Sequence, residues 1–148
     1  MLKRMLPPAY LLVAIVLTIA LHFLVPLVVP IAFPWRLAGL APVAAGIALN
    51  ILADLSFKQH HTTVKPFERS TALVTQGVFG SSRNPMYLGM VLMVAGVALF
   101  LGSLSPWLIV AGFAALLDRV FIAPEEAKLR QSFGAAYDDY AKRVRRWL

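Results

Sequence analysis

The sequence predicts an all-α integral membrane protein with about four transmembrane helices, an interfacial segment before the third helix and a C-terminal amphipathic helix. Of its 148 residues, 59% are hydrophobic and only 14% are charged, whereas a soluble domain carries about 25% charged residues. The mean hydropathy is +0.74. The length fits a single membrane domain over residues 1–148. The chain has no cysteine, which excludes disulfides, thiolate metal sites and cysteine nucleophiles.

The four predicted spans cover residues 10–29, 37–55, 86–104 and 107–123, because a helix needs about 20 mostly apolar residues to cross the hydrocarbon core. The first apolar run is about twice as long as the core of a signal peptide and has no A-x-A-like site after it, so we expect it to be retained. Only a short Ser-Pro turn near 105–106 separates the last two spans, which predicts an antiparallel hairpin.

The basic residues predict the orientation of the spans. Thirteen of the fourteen Lys and Arg residues lie on one side of the spans, and only Arg36 lies on the other. The positive-inside rule therefore places both termini and the segment 56–85 in the cytoplasm, as expected for a bacterial or archaeal cytoplasmic membrane. We expect the net charge of +7 to attract anionic lipids rather than nucleic acid.

Two polar segments flank the last pair of spans. Residues 56–82 are too polar to span a membrane, and their scattered apolar residues predict an interfacial segment. His60 and His61 are adjacent and therefore point apart, with no carboxylate at ligand spacing, so we predict no metal site. In the C-terminal run, apolar residues recur every three or four positions, as on one face of a helix. Gly134 departs from this pattern because glycine destabilises a helix interior. The apolar face consists of Leu129, Phe133, Tyr137, Tyr140, Val144 and Trp147.

Polar residues within spans are expensive and are functional candidates. Asn50 and Asp54 lie near one end of the second span, Asp118 and Arg119 lie near the corresponding end of the fourth, and we expect His22 to be a packing residue. A small multidrug transporter would also have four short spans. Such a transporter needs a membrane-embedded carboxylate in the first span for coupling, and only His22 is found there.

The block GSSRNPMYLG at 80–89 is equipped to bind an anion. Pro85 suits the first turn of a helix, whose free N–H groups bind anions, and Arg83 is a bidentate carboxylate binder. At the end of the fourth span, Glu125 and Glu126 supply negative charge for a cation or for ribose hydroxyls. The residues thus predict a site for a zwitterion without naming the ligand.

The segment LVTQGVFGSSRNPMYLG, followed by a hairpin and then EEAKLRQSFGAAYDDYAKRVRRWL, resembles the isoprenylcysteine carboxyl methyltransferase family, which is related to membrane phospholipid N-methyltransferases. The resemblance covers roughly residues 60–148. It implies a methyltransferase core at 56–148 after two N-terminal spans at 1–55. It also implies S-adenosylmethionine as methyl donor and S-adenosylhomocysteine as product.

The resemblance also implies which residues form the site. Arg119 and Glu126 match active-site positions. Asn84 stands where eukaryotic members have His, and because Asn cannot titrate we assign it no acid–base role. The positions that match the family's cofactor-binding residues are Gly77, Arg83, Asn84, Pro85, Tyr87, Leu88, Gly89, Glu125, Glu126, Tyr137 and Tyr140.

The methyl acceptor is expected to be lipophilic and to enter from the bilayer. It is either the carboxyl of an isoprenylcysteine-like molecule or a lipid headgroup, so the methylated atom is left open among N, O and S. A carboxylate acceptor needs no base, whereas an amine must first lose a proton, with Glu125, Glu126 and Asp54 as candidate bases. The alternative is a non-catalytic membrane scaffold that retains the fold. The sequence does not define an oligomeric state.

Overall fold

The computed structural model describes residues 6–60 and 72–148, and within these ranges every regular element is helical, which confirms the all-α prediction. Two 3₁₀ turns, Trp35–Gly39 and Gly77–Gly80, and one π-helical turn, Asp118–Ile122, accompany six α-helices. The helices are α1 Pro7–Leu24, α2 Leu40–Gln59, α3 Pro85–Leu101, α4 Pro106–Leu117, α5 Ala123–Phe133 and α6 Ala135–Arg143.

Three helical stretches are long and apolar enough to cross a membrane by length and composition. They are Pro7–Leu24, Trp35–Gln59 and Pro106–Phe133, with mean hydropathies of 2.0, 1.7 and 1.7. The predicted third span corresponds to the apolar but shorter helix Pro85–Leu101. Residues 61–71 of the predicted interfacial segment 56–82, including His61, lie outside the described residues.

The first span ends earlier than predicted. The expected helix over 10–29 stops at Leu24, and Val25 has the non-helical angles φ −142° and ψ 72°. The cause is local, because Val25 precedes Pro26 and a residue before proline is disfavoured in the α region. Its N–H still donates to the carbonyl of Leu21 at 2.9 Å.

The fourth span continues past its predicted end at Ala123. The helix runs on to Phe133 through the π-helical turn Asp118–Ile122, and Pro124 lies in the first turn of α5. The N–H of Ala123 donates to the Asp118 carbonyl, five residues back. The wide turn therefore falls next to Pro124, which has no N–H to donate, so the proline is accommodated within the helix.

The predicted C-terminal amphipathic helix is present as two helices. α5 ends at Phe133, and Gly134 adopts φ 51° and ψ −123° before α6 begins. A positive φ suits glycine, which has no Cβ to clash with the backbone. Tyr137, Tyr140 and Val144 are buried together. This part of the predicted apolar face is therefore buried although the helix is broken at Gly134.

The described residues fall into two compact units. The first draws on Met1–Ile47 and Met90–Ala115. Within it, the backbones at Gly39 and Gly96 approach closely, since a Cβ added at Gly96 would lie 2.6 Å from the Gly39 carbonyl oxygen. Small residues permit such contacts between helices in a membrane. His22 Nδ1 lies 2.7 Å from Ser103 Oγ, so this polar side chain is satisfied inside the unit.

The second unit draws on Ala48–Gly89 and Leu116–Leu148. It contains all of the predicted catalytic and cofactor-binding residues. Ala53, Val74 and Phe79 form one of its buried clusters. The 3₁₀ turn Gly77–Gly80 leads into the polar residues that precede α3, and α5 and α6 complete the unit.

Candidate active site

Four charged side chains of the second unit form a network around the Glu126 carboxylate. Arg83 donates to Glu126 Oε1 from Nε at 3.1 Å and from Nη2 at 2.9 Å. Arg146 donates to Glu126 Oε2 from Nε at 3.1 Å and from Nη2 at 2.6 Å. The Nη1 of Arg146 also lies 3.2 Å from Asp118 Oδ1. Two guanidinium groups thus balance two carboxylates, which a mostly buried carboxylate such as Glu126 requires.

Arg83 is almost fully engaged within the protein. Its Nη1 donates to the carbonyls of Ala141 at 2.9 Å and Val144 at 3.0 Å. With the two bonds to Glu126, four of its five side-chain N–H groups have partners. Its backbone N–H donates to the Arg145 carbonyl at 3.0 Å. The guanidinium that we expected to bind a ligand carboxylate is therefore used inside the site.

Asn84 also acts as a hydrogen-bond donor. Its Nδ2 donates to the Arg146 carbonyl at 3.1 Å and reaches Glu126 Oε1 at 3.5 Å. Its backbone N–H donates to Ser82 Oγ at 3.1 Å. The side-chain amide supplies two donors without titrating, so asparagine suffices for these contacts.

The second contact between the two sequence blocks joins Tyr87 to Glu125. The Tyr87 hydroxyl donates to Glu125 Oε1 at 2.7 Å, and Tyr87 is only 8% exposed. Its ring centroid lies 6.0 Å from that of Phe121. Adjacent carboxylates of α5 therefore bind two residues of the 80–89 block that are four positions apart.

Two tyrosines of α6 are buried beside this network. The Tyr140 hydroxyl donates to the Phe79 carbonyl at 2.6 Å. The Tyr137 hydroxyl is fully buried and has no hydrogen-bond partner among residues 6–60 and 72–148. Burial raises the pKa of both phenols. The guanidinium carbon of Arg130 lies 5.5 Å from the centroid of the Tyr137 ring.

An open pocket of about 480 Å³ lies against the network. Besides Arg83, Glu126 and Arg146, its lining consists of Arg130, Asp138, Ala141 and Lys142. Arg130 Nε donates to Asp138 Oδ1 at 2.7 Å at the exposed edge. Because the lining carries charges of both signs, the pocket suits a zwitterionic ligand.

The remaining predicted residues have various positions. Pro85, Leu88 and Gly89 are buried in the first turns of α3. Gly77 opens the 3₁₀ turn with φ +62°, and an added Cβ would lie 3.8 Å from Ser56 Oγ. Arg119 lies on the π-helical turn and is exposed.

The other polar candidates of the second span are satisfied nearby. Asn50 Nδ2 donates to the Met86 carbonyl at 3.3 Å. Asp54 forms an ion pair with Lys58, one turn further along α2. His60 is exposed, and its Nδ1 lies 2.8 Å from the Ser56 carbonyl. In the described ranges, no group of three or more His, Cys, Asp or Glu residues could hold a metal ion.

Sequence reasoning missed Arg146. It belongs to a basic run that we attributed to the helix end and the lipid surface, yet its side chain binds both Asp118 and Glu126. Its hydrogen bonds to Glu126 raise the pKa of the guanidinium further. The composition gives no signal that distinguishes Arg146 from Arg143 or Arg145, because the direction of each side chain depends on where the chain leaves α6.

Comparison with known proteins identifies the class. The sequence model of the phospholipid methyltransferase family matches residues 35–136. A protein-S-isoprenylcysteine O-methyltransferase of Schizosaccharomyces pombe is 31% identical over 87 residues, which cover 57% of this chain and 36% of that protein. A probable protein-S-isoprenylcysteine O-methyltransferase of Oryza sativa subsp. indica is 34% identical over 111 residues, which cover 72% of this chain and 56% of that protein.

A third relative is bacterial. An uncharacterized protein of Haemophilus influenzae is 40% identical over 63 residues, which cover 43% of this chain and all of that protein. No solved structure matches. The matched regions span about a third to a little over half of the two isoprenylcysteine methyltransferases.

These matches assign the chain to a protein family. It belongs to the phospholipid methyltransferase family, and the resemblance to isoprenylcysteine carboxyl methyltransferases is confirmed. The match to the family includes α2 and α3 and ends at the start of α6. The 80–89 block, Glu125 and Glu126 lie within it, whereas Tyr137, Tyr140 and Arg146 lie beyond its end.

Proposed function

We propose that the chain is an S-adenosylmethionine-dependent methyltransferase that acts on a lipophilic acceptor. The observation that carries this proposal is the direct pairing of the two sequence blocks. Arg83 meets Glu126 at 2.9 Å, and Tyr87 meets Glu125 at 2.7 Å. This pairing builds one site from the residues that the family resemblance singled out.

The pocket residues fit the proposed methyl donor. Arg130 and Lys142 offer positive charge to a carboxylate, and Asp138 offers negative charge to an ammonium or sulfonium group. The buried Tyr137 hydroxyl has no partner in the described part of the chain. Leaving such a group unpaired costs about 1–3 kcal/mol. Tyr137 is not among the residues that line the pocket, so a ligand atom would reach its hydroxyl only after a side-chain movement.

When bound, S-adenosylmethionine would supply a methyl group activated by its sulfonium. The protein's own contribution is orientation, because holding two reacting groups in line in a dry pocket lowers a barrier without acid–base chemistry. The residues proposed to hold the methyl donor are the predicted set from Gly77 to Tyr140. In the present geometry, Arg83 acts within that set through Glu126 and the backbone rather than through free donors.

Arg119 and Glu126 take different parts in this proposal. Arg119 is exposed, and its guanidinium makes no hydrogen bond or ion pair with any other residue in 6–60 or 72–148. It is therefore available to bind an acidic group of the acceptor, such as a carboxylate or phosphate. Glu126 already has two guanidinium partners, so its proposed part is to hold those charges in the pocket wall.

The acceptor is proposed to enter laterally from the bilayer, with the site on the cytoplasmic side. The exposed apolar residues of the helices support contact with lipid, and the asymmetry of the basic residues supports the orientation. A carboxyl acceptor, like the one named for the isoprenylcysteine methyltransferases, would need no base. An amine headgroup would need a base. Glu125 is the candidate, because its hydrogen-bond partner is the neutral phenol of Tyr87 rather than a guanidinium.

The test uses purified protein in proteoliposomes with methyl-labelled S-adenosylmethionine and a lipid extract. Mass spectrometry would identify any lipid that gains one CH₂ unit. Arg119→Gln should abolish labelling, while Arg145→Gln, which removes the same charge from an exposed position, should not. If the wild-type protein neither binds S-adenosylmethionine nor labels a lipid, the proposal fails. Binding without any labelling favours the scaffold alternative.

A further inference from the structure

Within the second unit, residues 144–146 are bound to residues 82–84 through every backbone carbonyl. The Val144 carbonyl accepts from Arg83 Nη1 at 3.0 Å, and the Arg145 carbonyl accepts from the Arg83 backbone N–H at 3.0 Å. The Arg146 carbonyl accepts from Asn84 Nδ2 at 3.1 Å and from Ser82 Oγ at 3.4 Å. Three consecutive carbonyls beyond the end of α6 thus have partners in 82–84.

The Arg146 side chain binds two carboxylates, Glu126 of the pocket lining and Asp118 of the π-helical turn. It donates to Glu126 at 2.6 Å and to Asp118 at 3.2 Å. These carboxylates lie eight residues apart. Asp118 is the first residue of the π-helical turn, and Glu126 follows the turn in α5. The guanidinium therefore links the turn that carries Arg119 to the carboxylate at the centre of the network.

The neighbouring basic residues behave differently. Lys142 pairs with Asp139, and Arg143 Nε donates to the Asp139 carbonyl, so both contacts remain within α6. Arg145 is exposed, and its side chain has no partner in the described ranges. Lys142 and Arg146 both line the pocket, but Arg146 is the member of the basic run 142–146 that pairs with the carboxylates of the network.

We propose that the backbone of residues 144–146, without the exposed Arg145 side chain, forms a fixed wall of the candidate site. Arg146, the member of this segment that lines the pocket, is then a positioning residue that orients the Glu126 carboxylate. Arg83 and Asn84 then contribute to ligand binding indirectly, because they hold this wall in place. The effect of the wall on ligand binding rests on the proposed function. The wall itself does not, because all of its contacts exist without a ligand.

The first test measures the wall without a ligand. Trp35→Phe and Trp107→Phe leave Trp147, the residue after the wall, as the single fluorophore of the full chain. In this background, Arg83→Gln and Arg146→Gln should raise acrylamide quenching of Trp147 about twofold, because they release the segment. Arg145→Gln, the matched control, should not change it. Equal quenching in all three variants overturns the proposal.

The second test measures S-adenosylmethionine binding by calorimetry on variants whose helical content is unchanged by circular dichroism. Arg146→Gln should weaken binding by roughly tenfold, about the effect of 1.4 kcal/mol, and Arg145→Gln should leave it within the error. Arg146→Lys should be intermediate, because lysine keeps the charge but cannot bridge two carboxylates as a planar guanidinium does.

The two tests separate the possible failures. A purely structural Arg146 would lower the melting temperature of Arg146→Gln while the folded protein binds S-adenosylmethionine like the wild type, and that result overturns the positioning role. If Arg146→Gln does not fold, the milder Arg146→Lys and Asp118→Asn decide, since each should weaken binding. If the wild type does not bind S-adenosylmethionine, the proposed function fails, and the quenching of Trp147 alone decides whether the wall exists.

Discussion

Replacing Glu126 by glutamine is expected to destabilise the second unit more than any other single isosteric change in the site. The carboxylate receives two guanidinium groups, and its side chain is only 9% exposed. Glutamine keeps the shape but loses the charge, and its amide nitrogen places a donor against one of the arginine donors. The arginines cannot both be satisfied by the remaining oxygen.

The magnitude follows from the burial of each partner. Arg83 is 14% exposed, so its lost charge-assisted bonds should cost about 1.5–3 kcal/mol. Arg146 is 38% exposed and keeps its contact with Asp118, so its share is that of a surface pair, about 0–1 kcal/mol. We therefore expect the free energy of unfolding to fall by about 3 kcal/mol.

The neighbouring residue provides the control. In Glu125→Gln, the amide oxygen can still accept the hydrogen bond from Tyr87, so the expected loss is less than about 1 kcal/mol. Both variants would be unfolded with SDS in mixed micelles and followed by circular dichroism. If Glu126→Gln unfolds within about 0.5 kcal/mol of Glu125→Gln, the network does not carry the stability assigned to it.

The remaining predictions concern a hydrogen bond, a pH dependence and a helix contact. Tyr87→Phe removes the donor at 2.7 Å from Glu125 and should lower the free energy of unfolding by about 1–3 kcal/mol. Burial raises the pKa of Tyr137 and Tyr140 above 10.0, so the folded protein holds protons that the unfolded chain releases. Stability should therefore fall as the pH rises above about 10, and a double Tyr→Phe variant should show a smaller slope in melting temperature against pH. Gly39→Ala places a Cβ 2.6 Å from a backbone nitrogen of α3 and should cost about 1–3 kcal/mol. Gly112→Ala, with nothing within 4 Å, should be neutral or stabilise by up to about 1 kcal/mol; equal melting temperatures for the two alanine variants would contradict the close contact.

Local rules account for much of the fold and also for its departures from expectation. Composition and apolar run length sufficed for the all-α class. Val25 before Pro26 ended α1 early, and Gly134 divided the C-terminal helix. Both effects follow from local residue types and can be predicted from the sequence. The π-helical turn before Pro124 was not predictable in the same way, because it depends on which carbonyl each N–H finds once the helix is packed.

The sequence by itself determined the membrane class, the two polar blocks and their chemical character. Apolar content, charge asymmetry and motif spacing are additive properties of the chain, so they can be read before it folds. The tertiary structure decided which of these residues meet. It paired Arg83 with Glu126 and Tyr87 with Glu125, and it turned Arg146 inward among similar basic residues. Such choices depend on contacts between positions that are distant in the chain, and the direction of one side chain there depends on the packing of all the others.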